Sequence, residues 1–411
     1  MVELWVHLFA VTILCLCTVT KVSGPGSVRI VSNPLWLVPA TYLASAVASI
    51  FVEQDDIPRI FIHNDASELY LTYTALIIVS LLPSLMMRGV RIRPAQLLVQ
   101  RDIKILMTFA SIGAWYSVLY QLRYALQALT LGAASVRDAL NVDGEYLLPD
   151  SPLTTLAVGI SSFYLVYIFL FFTAVANKMG RWLVASMLVG SVSYTVSSLA
   201  FAARDGLVFL LLATVFAYPF FTDDLSRAQR RIVKALGGAC IIASAFLLAS
   251  LTLDRFGAGS SWSVSSGTLG YLGQQPFVFV ETIRAQVDFY GLSLRFPVIA
   301  NLFGGSGDVQ RTEVFEWSFG TFLKDYYSMY GWPSLVGLAL AGGLVFAALF
   351  RKRSGIPPVT LLLVVILYFQ LMTAGVFYFR LGTRGGNLYL VAYFFLIAIS
   401  YFRYRSPGRN V

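Results

Sequence analysis

Arginine is the side chain best suited to hold a phosphate. It presents a planar fork of donors, and its charge persists at every physiological pH. Five arginines lie where this apolar chain has little other reason to carry cations. Arg204 stands in LAFAARDGLVFLLL (199–212), and from Trp182 to Phe221 its ionisable company is Asp205 and some weakly acidic tyrosines. Arg380 and Arg384 occupy FYFRLGTRGGN, a short turn between two apolar runs, and Arg295 and Arg311 fall in a long polar segment. Short outer loops of membrane proteins normally avoid cations. A group of arginines at that boundary suggests a lipid-linked phosphate or diphosphate as ligand. For Arg204–Asp205 a snorkelling arginine beside a turn-capping aspartate serves equally well, and Gly206 suits a tight reversal.

The elements that must position these groups follow from composition. The chain has 411 residues, 57% hydrophobic and 12% charged, with mean hydropathy +0.73. Repeated apolar runs match a hydrocarbon layer about 30 Å thick, where each backbone amide must be satisfied within its own segment. The expectation is an all-α, polytopic membrane helix bundle, one integral domain over 1–411. Eleven spans are expected, at about 4–20, 34–52, 67–87, 103–122, 153–176, 182–201, 206–221, 232–252, 334–350, 359–377 and 387–402. Nineteen of the thirty Lys and Arg then collect on one side in short loops and the C-terminal tail. By the positive-inside rule that side, with the C-terminus, is cytoplasmic. The net charge of +9 is thus a topology signal and implies no nucleic acid. Glu3, and no basic n-region, makes the first run a retained helix in preference to a cleaved signal. Two outer loops are long, 123–152 and 253–333 (between spans eight and nine). Within the second, Pro276–Leu292 is too charged to span and could lie along the membrane surface.

Several classes are disfavoured. No Asp, Glu, Lys or Arg lies near a span midpoint, where ion-coupled carriers usually need one. No GxxxxGK[ST] motif is present, and Cys15, Cys17 and Cys240 show no disulfide or zinc spacing. No metal and no cofactor are expected. Of the two histidines, His7 reads as structural, which leaves His63 in the first outer loop as the possible histidine base.

TFLKDYYSMYGWPSLVGLALAGG (321–343) brings aromatics and a Gly331–Gly337 spacing to the point where the long loop enters a span. Together with AARDGL in mid-chain and a long outer loop before a basic RKR turn, it resembles the Wzy-type O-antigen and capsule repeat-unit polymerases. The resemblance covers the architecture from about span three to the C-terminus, through short motifs. It implies a GT-C-like or Wzy-like fold in the bacterial cytoplasmic membrane, with undecaprenyl-diphosphate-linked glycans as substrates. Membrane lipids, a chain-length regulator and a flippase are the implied partners. It gives Arg204, Arg295, Arg311, Arg380 and Arg384 the donor diphosphate. Where family members carry Asp or Asn before the aromatic–Gly pair, this chain has Met329, so no role transfers there.

The implied chemistry moves a glycan from polyprenyl diphosphate to a sugar hydroxyl. Guanidinium groups can stabilise the leaving diphosphate without metal, and a carboxylate serves as base for the acceptor. The candidates are Asp308, Glu313, Glu316 and Asp325, with Glu313 and Glu316 sharing a face if helical. Outer aromatics such as Trp262, Tyr271, Trp317, Tyr326, Tyr327 and Trp332 suit sugar stacking or interfacial anchoring. Three rivals remain. Glu53-Gln54-Asp55-Asp56 fits a metal-dependent polyprenyl-phosphate-sugar transferase, an O-antigen ligase shares the donor and architecture, and a lipid-glycan flippase needs no catalytic group.

Overall fold

The computed structural model describes residues 2–22, 28–30, 34–57, 60–87, 92–97, 100–132, 135–136, 147–256, 264–285, 289–302, 318–352 and 355–404. A helix occupies every one of the eleven expected positions. Seven helices are long and apolar enough to cross a membrane unaided: Val2–Val19, Ser67–Met86, Arg101–Leu131, Arg181–Ala200, Trp332–Arg351, Pro358–Gly375 and Arg384–Tyr404. Pro152–Ser161 and Tyr164–Ala176 meet at 51° and make an eighth if counted as one crossing. The chain is a multi-pass helical membrane protein.

The described residues thus support seven or eight crossings where eleven were expected. The difference is one of unbroken length. Leu37–Phe51 has 15 residues, about 22 Å of helix against a layer of about 30 Å. Asp205–Ala217 is also short and tightens into a 3-10 turn at Tyr218–Phe221. Arg227–Phe256 is helical through the expected span 232–252, with Arg227, Arg230, Arg231 and Lys234 in its opening turns. The helix Gln100–Leu131 overshoots its expected end by nine residues, because RYALQALTL contains neither Gly nor Pro to stop it. Outside the helices, Thr20–Val22 pairs antiparallel with Val28–Ile30 in a small hairpin.

The chain forms two compact units. The first comprises 1–90, 262–357 and 367–383. At its centre lie two ten-residue helices from the long loop, Gln275–Arg284 and Thr321–Tyr330. Phe277, Val278, Phe279 and Val280 are fully buried, so the first of these is apolar on all sides and sits in a core. Phe277 meets Tyr70 edge-on at 6.1 Å, Phe279 meets Tyr73 at 5.3 Å, and Ser45 donates to Gln275 at 2.9 Å. The expectation that Pro276 onward lies along the membrane surface is therefore corrected. QPFVFVET is covered by protein; of the charges that argued for the surface, Glu281 pairs with His63 and Arg284 with Asp65, and Asp288 lies outside the described residues.

The second unit comprises 91–261, 358–366 and 384–411. Its core joins Ile103, Met107 and Ala114 to Tyr167, Ala174 and Met187. Trp115 stacks on Trp182 at 5.6 Å and donates its indole N–H to Ser186 at 3.1 Å. The reversal between Arg181–Ala200 and Asp205–Ala217 is made by Ala202, which takes φ 50°. Gly206 has another purpose than the turn expected of it. A Cβ there would stand 2.6 Å from the Ser198 Cβ and 2.8 Å from the Thr195 Cα, so the glycine lets two helices touch backbone to backbone.

Candidate functional site

The first unit assembles a buried charged cluster. Arg295 ends a turn before the helix Pro297–Leu302, and its Nη2 lies 2.6 Å from Asp325 Oδ1. Both are shielded, Arg295 at 6% and Asp325 at 2% exposure. Asp325 Oδ2 accepts a hydrogen bond from the Phe379 amide, which fixes the hairpin 376–383 against the helix Thr321–Tyr330. Arg380, the next residue, is also buried. Lys324 is buried beside Asp325 and donates from Nζ to the Ser318 carbonyl at 2.9 Å. Two further buried cations, Lys324 and Arg380, thus stand next in sequence to Asp325 and Phe379, which a hydrogen bond joins. Buried charges are costly unless paired, and Arg295 with Asp325 is such a pair.

The backbone around the cluster is held firmly. Thr321 opens its helix at φ 63°, a region that costs a β-branched residue of order 1–3 kcal/mol and tends to persist where function requires it. Its amide donates to the Phe377 carbonyl at 3.1 Å, tying the helix start to the same hairpin. At the far end Gly331 sits at φ 70°, against the Phe289 ring, where a Cβ would approach within 2.7 Å. The Tyr330-Gly331 pair noted in the sequence is thus a sharp corner between two helices. Aromatic rings line the hairpin: Phe319 lies parallel to Tyr378 at 5.9 Å and tilted to Tyr271 at 5.1 Å.

The expected site residues divide as follows. Arg295 and Asp325 pair directly, and Arg380 follows the residue whose amide Asp325 accepts from. Asp325 serves there as the partner of Arg295 and the anchor of Phe379, which makes it a positioning group. Arg311, Glu313 and Glu316, with Asp308, Trp262 and Trp317, lie outside the described residues. Arg204 and Arg384 belong to the second unit, each at the start of a helix. Asp205 accepts from Tyr194 and Ser198 hydroxyls, both at 2.6 Å, so it locks the reversal beside Arg204. Arg384 is half-exposed and pairs with both oxygens of exposed Asp150 at 3.0 and 3.1 Å.

The acidic run in the first loop has a structural role. Asp56 is buried and accepts from the Glu53 amide at 3.0 Å in a reciprocal capping box. Among the described residues no group of three or more His, Cys, Asp or Glu is placed to hold a metal.

Sequence reasoning singled out His63 but missed the partners that make it part of a second cluster in the first unit. His63 Nε2 lies 2.5 Å from Glu281 Oε2, and Arg284 Nη1 lies 3.2 Å from His63 Nδ1. Arg284 Nη2 donates to Asp65 at 2.8 Å. That bond holds the Asp65 carboxyl below its ordinary range. The available signal was Glu281, an acid inside an otherwise apolar helix. No family model, curated protein or solved structure matches the chain.

Proposed function

We propose that this protein is a membrane glycosyltransferase of the repeat-unit polymerase type. It transfers a growing glycan from undecaprenyl diphosphate to a hydroxyl of the next lipid-linked repeat unit, at the outer face of a bacterial cytoplasmic membrane. The GT-C-like or Wzy-like arrangement of up to eleven crossings belongs to this reading. The observation that carries it is the buried Arg295–Asp325 pair, whose carboxylate also holds the Phe379 amide beside buried Arg380. A guanidinium so held is a preorganised donor for a leaving diphosphate as it develops negative charge, and in a low-dielectric site that stabilisation is strong. Asp325 and the Phe379 amide hold the guanidinium of Arg295 and the hairpin of Arg380 in place. By the resemblance alone, Arg204, Arg311 and Arg384 are assigned to a lipid-linked donor, and Glu313 and Glu316 to the acceptor proton. The capping role of Asp56 speaks against the metal-dependent rival, which needs that carboxylate for an ion.

The test is deletion of the gene in its host, followed by electrophoresis of surface glycans. A ladder that collapses to single repeat units supports the polymerase. Retention of lipid-linked polymer with none transferred to lipid A–core indicates a ligase, and an unchanged profile rejects both.

A further inference from the structure

The helix Arg227–Phe256 of the second unit opens on four cations and no acid in its first turn. Arg230 is engaged, donating from Nε to the Leu225 carbonyl at 2.9 Å. Arg227, Arg231 and Lys234 are exposed, and among the described residues none of the three meets a carboxylate. Their spacing of i, i+4 and i+7 gathers them within about 60° of the helix circumference. Gln229, on the opposite side, donates to the Val175 carbonyl at 2.7 Å. That bond ties one side of the helix to the protein and turns the cationic side outward. Like charges so spaced repel one another, and cations at a helix N-terminus oppose its macrodipole. Helix stability therefore does not account for them. The positive-inside rule asks for cations near this end, but not for one face of them.

Below the charges the exposed side becomes apolar and changes shape. Ala235 and Ala239 are exposed, and a Cβ added at Gly238 would have nothing within 4 Å. Beyond them Ile242 and Phe246 stand out at 73% and 76% exposure. The surface thus runs from a cationic end, across an open step of small residues, to two bulky side chains. From Arg231 to Ile242 is about 16 Å of helix rise, close to half of a hydrocarbon layer of about 30 Å. Charge and length together match one phospholipid in one leaflet. Guanidinium forks suit phosphate oxygens, and an acyl chain lying over the small residues gains dispersion contacts with them. The apolar continuation favours a lipid over a soluble acidic partner.

We propose that this face is a binding site for an anionic glycerophospholipid, at the end of the helix expected on the cytoplasmic side. The lipid phosphate lies among Arg227, Arg231 and Lys234, and one acyl chain follows the step at Ala235, Gly238 and Ala239 down to Ile242. The site lies wholly in the second unit and is independent of the polymerase reading. A zwitterionic lipid carries a positive group next to its phosphate and gains less from three cations, so the site selects by headgroup charge.

The experiment titrates the full-length, delipidated protein in detergent with phosphatidylglycerol or phosphatidylcholine and counts bound lipid by native mass spectrometry. Each basic residue near a membrane surface adds about fivefold to the binding of an anionic lipid. Wild type should therefore bind phosphatidylglycerol at least about tenfold more tightly than phosphatidylcholine. The triple variant Arg227→Gln, Arg231→Gln, Lys234→Gln should lose that preference. Gly238→Leu keeps every charge, points into open space and fills the step, so it should weaken phosphatidylglycerol binding by several-fold with an unchanged unfolding midpoint. Arg351→Gln with Lys352→Gln, which removes two exposed cations at the end of Trp332–Arg351, should leave the preference as in wild type. Wild-type preference in the triple variant, or an equal loss in the Arg351 and Lys352 control, overturns the site. Displacement of the lipid by inorganic phosphate, or unweakened binding by Gly238→Leu, overturns a lipid as its occupant.

Discussion

Replacing Asp325 by alanine removes the carboxylate that pairs with buried Arg295. Arg295, with its side chain 8% exposed, then keeps its charge in a shielded site without that partner, and the Phe379 amide loses its acceptor. Breaking a buried ion pair from one side costs about 3–5 kcal/mol, and an orphaned amide about 1–3 kcal/mol. The two overlap, so about 4–6 kcal/mol is the expected loss. In a unit of about 200 residues, each kcal/mol moves the unfolding midpoint by about 2–4 °C. The purified protein in detergent should therefore unfold about 10–20 °C lower, as read by tryptophan fluorescence. Removing both charges, Asp325→Leu with Arg295→Met, should recover most of that loss, because two uncharged side chains leave nothing unpaired. A single variant within about 3 °C of wild type, or a double variant as unstable as the sum of the singles, would refute the buried pair.

Two other perturbations probe the rest of the structure. Gly206→Ala inserts a Cβ 2.8 Å from the Thr195 backbone. It should cost about 1–3 kcal/mol, visible as a lower midpoint, and an unchanged midpoint would mean the two helices are not in contact. Asp65 has a lowered carboxyl pKa because Arg284 hydrogen-bonds it. Its contribution is therefore complete above the ordinary value of 3.8 and is lost as pH falls through the lowered one. Hydrogen exchange of residues 61–66 should be constant from pH 7 to pH 5, once corrected for the intrinsic rate, and rise only below the carboxylate range.

Apolar runs and charge asymmetry were enough to place a helix at each expected crossing, because hydrophobic length and basic flanks are written locally. What they could not convey is where a helix breaks. The 51° bend between Ser161 and Tyr164 and the short Leu37–Phe51 helix depend on packing partners far away in the chain. Long-range pairing also decided the site. Arg295 and Arg380 were legible as misplaced cations, yet Asp325 joins Arg295 to the Phe379 amide, which lies beside Arg380 and 54 residues from that carboxylate. Asp325 looked like a free acid and is a buried anchor, while Asp55–Asp56 looked like a metal pair and Asp56 is a cap. His63 and Glu281 lie 218 residues apart, and no spacing rule links an exposed-loop histidine to an acid on a buried helix. Gly206 was read as a turn residue because turns and close helix contacts ask for the same residue type.

The most direct measurement is the affinity of the purified protein, in lipid nanodiscs, for undecaprenyl diphosphate, compared between wild type and Arg380→Ala, with neutral undecaprenol as control. If the buried guanidinium groups hold the carrier head, the variant binds the diphosphate about tenfold or more weakly, a difference of about 1.4 kcal/mol, and undecaprenol binding is unchanged. Equal affinity of both proteins for the diphosphate would contradict that role for the cluster.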